Sequence, residues 1–345
     1  MSPTRPLAAL VLLTACAAHH PAPVAVAPAV PAAPHLPAPV ADLYVHHVAT
    51  PVDPLVTTVL EGRPWEEVLS GAASALALTI STRGDVDLSA ARWAAVRAGY
   101  PFPVLGLDVV HAPHEQRPTL TLPSSGDVGL VRARGPDDDI WVVLHGAGGP
   151  DLPAVPREAR VGDHLALSGP SWRASLPSGE VRALGDGLVF DREGEWLLQA
   201  FDAEHVVATL PVYVGVATPE KPPFVGSLSG ADPETAAFNA VAAVWAWYGR
   251  DPPTRDATMD SVARVRLRAL AAGGTAESPT LLLRHAGFVE GASGADCRAQ
   301  SLRDCLETMW WSPDQRAVFA AGYSSVGVAT SNDGQGVRVV LLAAK

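Results

Sequence analysis

The sequence is poor in cysteine and lysine. Three cysteines in 345 residues exclude the disulfide-dense scaffolds of small secreted domains. Lysine occurs only at Lys221 and Lys345, no basic run is present, and the formal net charge is −11. Nucleic-acid binding, which relies on clustered basic residues, is therefore disfavoured. The chain is rich in hydrophobic residues, which make up 48% of it. A length of 345 residues with this composition predicts two or three domains with sizeable cores.

One apolar run stands at the N terminus. Arg5 precedes Leu7–Leu13, and the run ends in the sequence LTAC at Cys16. The run is too short to cross a bilayer as a mature helix, and no other segment of the sequence is long and apolar enough. The ending resembles a bacterial lipobox, which implies that residues 1–15 are removed and that Cys16 is lipidated with fatty acids such as palmitate. The alternative is an ordinary secretory signal with a chance cysteine.

Residues 16–50 are rich in Ala, Pro and Val, a composition typical of an extended tether. His19, His20, His46 and His47 lie in or beside it. Two His-His pairs are able to hold a metal loosely, but we expect a solvated linker.

An α+β domain is predicted over residues 51–150. We expect one helix from Trp65 to Ile80 and a second over residues 90–98, capped by Asp87 or Ser89 and ended by Gly99. Apolar runs on either side of the GPD sequence at 135–137 predict a β-hairpin.

Residues 155–216 carry short β-type runs separated by turn residues, which predicts an immunoglobulin-like β-sandwich. Trp196 is expected to be half buried on one of its strands. A Pro/Gly/Ser linker follows at 217–233. Residues 234–345 are then predicted to form a second α+β domain, with helices at 234–248, 258–271, 279–285 and 301–311 and a hairpin turn at Asp333-Gly334.

This last domain contains WWSPDQR at 310–316 and GYSSVGV at 322–328. These segments resemble the CAP superfamily (cysteine-rich secretory proteins, antigen 5 and pathogenesis-related proteins), with Asn239 and the second helix also fitting in position. The resemblance implies an α/β/α sandwich over 234–345. Residues 51–150 follow a similar order of elements, so that domain is either a decayed CAP-like repeat or an unrelated α+β domain.

CAP proteins usually carry two His and two Glu in one cleft, a set suited to a divalent metal. The matching positions here hold Gln315 and Arg266, and a guanidinium is no metal ligand. Glu290 matches one cleft Glu, and His285 is the remaining His of this domain. The candidate cleft therefore comprises Arg266, His285, Glu290 and Gln315, with no catalytic residue, metal or cofactor assigned.

Three further patterns are weaker. His111, His114 and Glu115 have ligand-like spacing but are interpreted as an exposed loop, because Pro113 interrupts any helix. The acidic triplet 137–139 is interpreted as a solvated hairpin tip. Cys297 and Cys305 are predicted to form a disulfide, which requires Cys297 to lie in a loop before the helix, since one continuous helix would hold the two cysteines about 12 Å apart.

We therefore hypothesise a lipid-anchored protein at the cell membrane or outer membrane that faces the periplasm or the exterior. Its partners are the membrane and an unknown envelope ligand or protein. Non-catalytic binding or scaffolding is the leading hypothesis. The alternatives are a secreted hydrolase with a non-standard site in the CAP-like cleft and a structural envelope protein without a ligand.

Overall fold

The computed structural model describes residues 42–203, 205–221, 228–273, 275–288, 291–320 and 322–345. These residues fall within one compact unit, Leu36–Lys345. Helices and strands occur together in it, so the predicted α+β class is confirmed. Cys16, the first part of the predicted tether and Glu290 lie outside the described residues. We call residues 42–150 the N-terminal module, 155–216 the central module and 228–345 the C-terminal module.

The N-terminal module places three helices against one mixed sheet. Its elements are β1 (Leu43–Tyr44), β2 (Val48–Ala49), α1 (Pro54–Leu60), β3 (Trp65–Glu66), α2 (Glu67–Arg83), α3 (Leu88–Ala98), β4 (Val104–Ala112), β5 (Asp127–Arg134) and β6 (Asp139–Gly146). The sheet has the strand order β2-β3-β5-β6-β4. Asp87 caps α3 by accepting a hydrogen bond from the Ala90 N–H, and Gly99 ends it at φ 90°, a left-handed conformation that favours glycine.

This module differs from expectation in several details, since α1 and β2 were not predicted. The first long helix begins at Glu67 and not at Trp65, because Trp65–Glu66 pairs with neighbouring strands as β3. Strand β4, for which the sequence carries no clear signal, lies antiparallel to β6. The predicted hairpin is confirmed, with Asp127 opposite Gly146 and Arg134 opposite Asp139.

The central module consists of strands alone. Its elements are β7 (Val155–Pro156), β8 (Glu158–Ala159), β9 (His164–Ala166), β10 (Ser171–Ser175), β11 (Val181–Leu184), β12 (Gly187–Val189), β13 (Gly194–Asp202) and β14 (His205–Val214). One sheet has the order β11-β10-β13-β14-β8, and β9 pairs with β12 in a second sheet. Trp196 is fully buried, not half buried, because Phe190 packs against its ring at 5.4 Å between centroids.

The C-terminal module has helices on both faces of a four-stranded sheet. Its elements are α4 (Pro233–Trp247), β15 (Thr254–Arg255), α5 (Ala257–Ala271), α6 (Pro279–His285), β16 (Ser293–Ala299), α7 (Leu302–Trp311), α8 (Pro313–Ala320), β17 (Ser325–Asn332) and β18 (Val337–Ala344). The strand order is β15-β17-β18-β16. Helix α8 and strand β16 were not predicted.

Alternate residues of these strands face different helices. Ala329, Val340 and Leu342 pack with α5 and α6. Val328, Val339 and Leu341 instead share a core with α4, α7 and α8. The sheet therefore separates two groups of helices.

The N-terminal and C-terminal modules contain the same arrangement, which we call the strand–helix–hairpin core. A two-residue strand (β3 or β15) runs parallel to the first hairpin strand and leads directly into a helix. Each hairpin strand has 8 residues, and the turns occupy 135–138 and 333–336.

Both cores bring the helix onto a glycine of the hairpin. A Cβ atom on Gly129 would lie 2.6 Å from the backbone carbon of Leu69, and one on Gly327 would lie 2.4 Å from that of Met259. No ordinary Cβ tolerates such distances, so glycine is required at both positions for steric reasons.

A helix side chain also binds the hairpin backbone in each core. Ser70 Oγ accepts a hydrogen bond from the Leu130 N–H at 3.1 Å. Asp260 Oδ1 accepts one from the Val328 N–H at 2.7 Å. These bonds fix the helix to the strand at matching places.

Candidate functional site

Arg266, the first residue of the predicted cleft, lies on α5 and is only 9% exposed. Its Nε lies 3.1 Å and its Nη2 2.5 Å from Asp296 Oδ2 on β16. Its Nη1 also donates to the Glu277 carbonyl oxygen. The guanidinium is therefore held by an ion pair within its own module.

Gln315 lies on α8, which packs on the opposite face of the sheet from α5. The structure therefore does not bring Gln315 and Arg266 together in one cleft. His285 is 66% exposed at its side chain and lies 3.5 Å from Glu277 Oε1, while Glu290 is outside the described residues.

These positions do not fit the divalent metal that the CAP resemblance implies. Arg266 is a cation already paired with Asp296, and Gln315 is on the other face of the sheet. Among the described residues, no group of three or more His, Cys, Asp or Glu side chains is placed to hold a metal ion.

The predicted disulfide is confirmed: Cys297 and Cys305 are bonded, with their Cα atoms 5.4 Å apart. The expected loop position of Cys297 is wrong. Cys297 is within strand β16, opposite Val339, and Cys305 is on α7. The bond therefore joins a strand to the helix that packs on it, and separation by the turn at 300–301 makes the short distance feasible.

The HAPHE segment and the acidic triplet, interpreted separately from sequence, contact each other. His114 Nδ1 lies 2.9 Å from Asp139 Oδ1, and the Glu115 N–H donates to Asp139 Oδ2. Burial acts to raise the pKa of Asp139, but hydrogen bonds from His114, the Glu115 N–H and Arg132 outweigh it and hold the pKa below its ordinary value. Asp139 is 1% exposed, so the interpretation of the triplet as a solvated tip is wrong at this residue.

His46 was expected in a solvated linker, and it is exposed but contacts the sheet through its ring. Its side chain is 26% exposed, and its Nε2 lies 3.1 Å from Asp127 Oδ2. Tyr100 donates its hydroxyl to the same carboxylate at 2.7 Å. Burial and this neighbouring carboxylate both raise the pKa of Tyr100, so the phenol stays protonated. The cluster attaches the chain entering the N-terminal module to its sheet.

A buried ion pair joins the central and C-terminal modules. Arg316 of α8 contacts the carboxylate of Glu195 on β13, and both side chains are 3% exposed. Tyr248 donates to Glu195 Oε2 at 2.7 Å, and Tyr213 donates to Oε1 at 3.2 Å. Desolvation acts to lower the pKa of Arg316, but Glu195, Tyr248 and Tyr213 together outweigh it and raise that pKa. Arg316 also lies over the ring of Trp310.

A pocket of about 380 Å³ lies where the three modules meet, and we call it the junction pocket. Aromatic rings from each module line it: Phe102, Phe201 and Trp311. A few polar side chains interrupt these apolar walls, which is the usual character of a ligand site. The polar residues are Arg92, Gln199, Thr209, Thr308, Ser312 and Asp314.

Arg92 and Gln199 are held in place by their neighbours. Arg92 Nε donates to the Val104 carbonyl oxygen at 3.3 Å, and its Nη1 lies 3.4 Å from Glu307 Oε2. Gln199 is 4% exposed, and its Nε2 donates to Thr209 Oγ1 and to the Trp311 carbonyl oxygen. Both are therefore oriented without a ligand.

A second pocket, of about 510 Å³, is lined mainly by Gly, Ala and Ser of α2.

No protein-family model matches the chain, and no curated protein sequence matches it. Solved structures resemble it weakly. An outer surface protein of Borrelia burgdorferi is 11% identical over 34% of this chain and 95% of its own, with a TM-score of 0.31. An extracellular protein of Bacillus anthracis containing an SCP domain is 14% identical over 63% and 85%, with a TM-score of 0.28. A cysteine-rich secretory protein of Staphylococcus aureus is 10% identical over 77% and 91%, with a TM-score of 0.29.

Within the ranges that the structure describes, no helix combines the length and the apolar character that crossing a membrane requires.

Proposed function

We propose that this protein is a lipid-anchored, non-catalytic binding protein of the cell envelope. The observation that carries the proposal is the junction pocket, whose walls come from all three modules. Such a pocket exists only when the modules are packed together, and the buried Arg316–Glu195 pair holds one of these junctions. The body therefore acts as one binding unit that is held at a membrane surface.

The anchor is proposed from the sequence at Cys16, with export to the periplasm or the exterior. Cys16→Ser is expected to abolish incorporation of a labelled fatty acid and to release the protein from the membrane fraction. Stable anchoring needs more than one acyl chain. A lipidated cysteine at a mature N terminus carries several acyl chains, whereas the unlipidated polypeptide carries none. Equal labelling of variant and parent would contradict the anchor.

We also propose that the C-terminal module is a degenerate CAP-like domain and that the N-terminal module is its decayed repeat. The helices on both faces of the four-stranded sheet support the first statement. The shared strand–helix–hairpin core supports the second. For the central module we propose an immunoglobulin-like sandwich, supported by the pairing of β9 with β12 and of β13 with both β10 and β14.

The absence of catalysis is proposed because Arg266 is neutralised by Asp296, while Gln315 is distant in the fold and is no general base. The direct test offers ester, peptide and glycoside substrates to the full chain in detergent. We expect no turnover above that of a heat-denatured sample. Turnover that Gln315→Ala or Glu290→Ala removes, without lowering the melting temperature, would overturn the proposal in favour of a hydrolase.

A further inference from the structure

We infer that the junction pocket binds a carboxylate that carries an apolar, preferably aromatic, side group and an adjacent amide N–H. This is the chemistry of an N-acylated apolar amino acid, whether free or at the C terminus of a peptide. The inference rests on the proposed binding function and names its ligand class. Three features of the pocket, each from a different set of residues, support it.

The first feature is the guanidinium of Arg92. Its side chain is 32% exposed, and its two hydrogen bonds, to Val104 and Glu307, are both long at 3.3 and 3.4 Å. A guanidinium has five N–H donors. Among the residues that the structure describes, Nη2 has no hydrogen-bond partner. Arg92 therefore retains donors for a ligand carboxylate, which guanidinium groups bind in bidentate fashion.

The second feature is the amide oxygen of Gln199. Because Nε2 is fixed by Thr209 and the Trp311 carbonyl, the orientation of the amide is set. No donor to its Oε1 occurs in the described part of the chain. A nearly buried acceptor without a donor favours a ligand that supplies an N–H, since an unmade hydrogen bond to a buried group is costly.

The third feature is the apolar wall. Phe102, Phe201 and Trp311 provide aromatic surface, while Leu105 and Val206 remain 65% and 43% exposed beside them. Aromatic rings pack well against another ring in edge or offset geometry. A volume of about 380 Å³ lies at the low end for small-molecule pockets, so it suits one amino-acid side chain and its amide and not an extended lipid.

Two charged residues in this region, Arg92 and Glu307, allow a test in which the two substitutions change anion binding in opposite directions. Glu307 lies beside Arg92 and competes for the same guanidinium. Removing the charge of Glu307 should therefore strengthen anion binding, whereas removing Arg92 should weaken it. Arg303 is the matched control, because it is a neighbouring arginine that pairs with Asp87 and does not line the pocket.

The experiment measures binding of N-acetyl-phenylalanine and of its uncharged amide to the full chain in detergent, by titration calorimetry. We expect the acid to bind about 10-fold more tightly than the amide, which corresponds to one charge-assisted contact of about 1.4 kcal/mol. Arg92→Gln should bring the two ligands within twofold of each other. Glu307→Gln should tighten acid binding severalfold, and Arg303→Gln should change it less than twofold. Melting curves establish that each variant is folded.

Val206→Trp, which fills the pocket from its exposed side, should abolish binding of both ligands. If it does, but the amide binds as well as the acid, the binding function stands and the anionic class is wrong. If neither ligand binds, or Val206→Trp has no effect, this inference is overturned. A tripeptide Ala-Ala-Phe that binds more tightly than N-acetyl-phenylalanine, and loses this advantage when amidated, identifies a peptide C terminus as the source. Equal affinity identifies the free N-acylated amino acid.

Discussion

Residues 113–126 connect β4 to β5 in the N-terminal module without a helix, whereas α7 and α8 occupy the equivalent connection between β16 and β17. The added helices carry Trp311 and Thr308 of the junction pocket and Arg316 of the buried ion pair. The N-terminal module contributes to the pocket from α3 and the start of β4. The comparison shows that the junction pocket and the buried ion pair are built from elements added around the shared core, or from its margins.

The steric requirement of the two cores provides the most severe test of their equivalence. Gly129→Val and Gly327→Val should each destabilise the protein by about 3 kcal/mol or more, because the new side chain overlaps helix backbone that cannot move without unpacking. Denaturant unfolding measures this effect. Gly71→Ala, at a helical position with open space around it, is the control and should not destabilise. A mild effect at only one of the two glycines would show that the cores are not equivalent.

The disulfide distinguishes the C-terminal module from the N-terminal module. Among the described residues, only the C-terminal core contains a disulfide. Replacing Cys297 and Cys305 together by Ala should cost about 2–3 kcal/mol on the loop-closure estimate. Hydrogen exchange should report faster opening of β16 and α7, with β4 and β5 unchanged. Equal loss of protection in both modules would mean that the whole body unfolds as one unit. The structural difference between the modules would then have no effect on their local stability.

The helix-to-hairpin bonds should differ in strength. Asp260→Ala leaves the buried Val328 N–H without its charged acceptor, for which we expect a loss of about 2 kcal/mol, and Ser70→Ala should cost about 1 kcal/mol. Thermal unfolding of the two variants measures the difference. Ser261→Ala, on the exposed side of α5, should be neutral. A Ser70→Ala loss that equals or exceeds the Asp260→Ala loss would contradict the ranking.

Asp139 should make the hairpin of the N-terminal module sensitive to acid. The pKa of Asp139 is held below its ordinary value in the folded protein, so its ionised form contributes stability above the ordinary pKa that is lost as the pH falls through the lowered pKa. Its hairpin equivalent in the C-terminal module is Val337, which does not titrate. Asp139→Asn should therefore reduce the dependence of the melting temperature on pH between 2 and 5. An unchanged dependence would contradict this assignment.

The sequence predicted helices and strands well where capping and turn residues marked their ends. The caps at Asp87 and Gly99 and the turns at 135–138 and 333–336 fixed α3 and both hairpins. It failed for β4 and β16, whose mixed polar patterns show no period of two because they pair at sheet edges and face different neighbours. Helix α8 was missed because Pro313 suggests a break, although proline is well tolerated in the first turn of a helix.

The site was harder to predict than the fold. Arg92, Gln199 and Trp311 come from three modules that are far apart in sequence, and none belongs to a motif. Arg266 was predicted to be no metal ligand, but its partner Asp296 lies in the unpredicted strand β16. The contact of His114 with Asp139 could have been predicted from the sequence. The two residues belong to polar clusters at the ends of β4 and β6, which are adjacent strands.

The first described residues have a mechanical consequence. Asp42 accepts a hydrogen bond from the Arg157 N–H, β1 pairs with β7, and Tyr44 donates to the Pro211 carbonyl oxygen. A pull on the chain at Asp42 is therefore transmitted directly to β7 and β14 of the central module. The next residues, Val45 and His46, contact Gly99 and Asp127 of the N-terminal module. A force applied at Asp42 would therefore be shared between the central and N-terminal modules within the first five described residues.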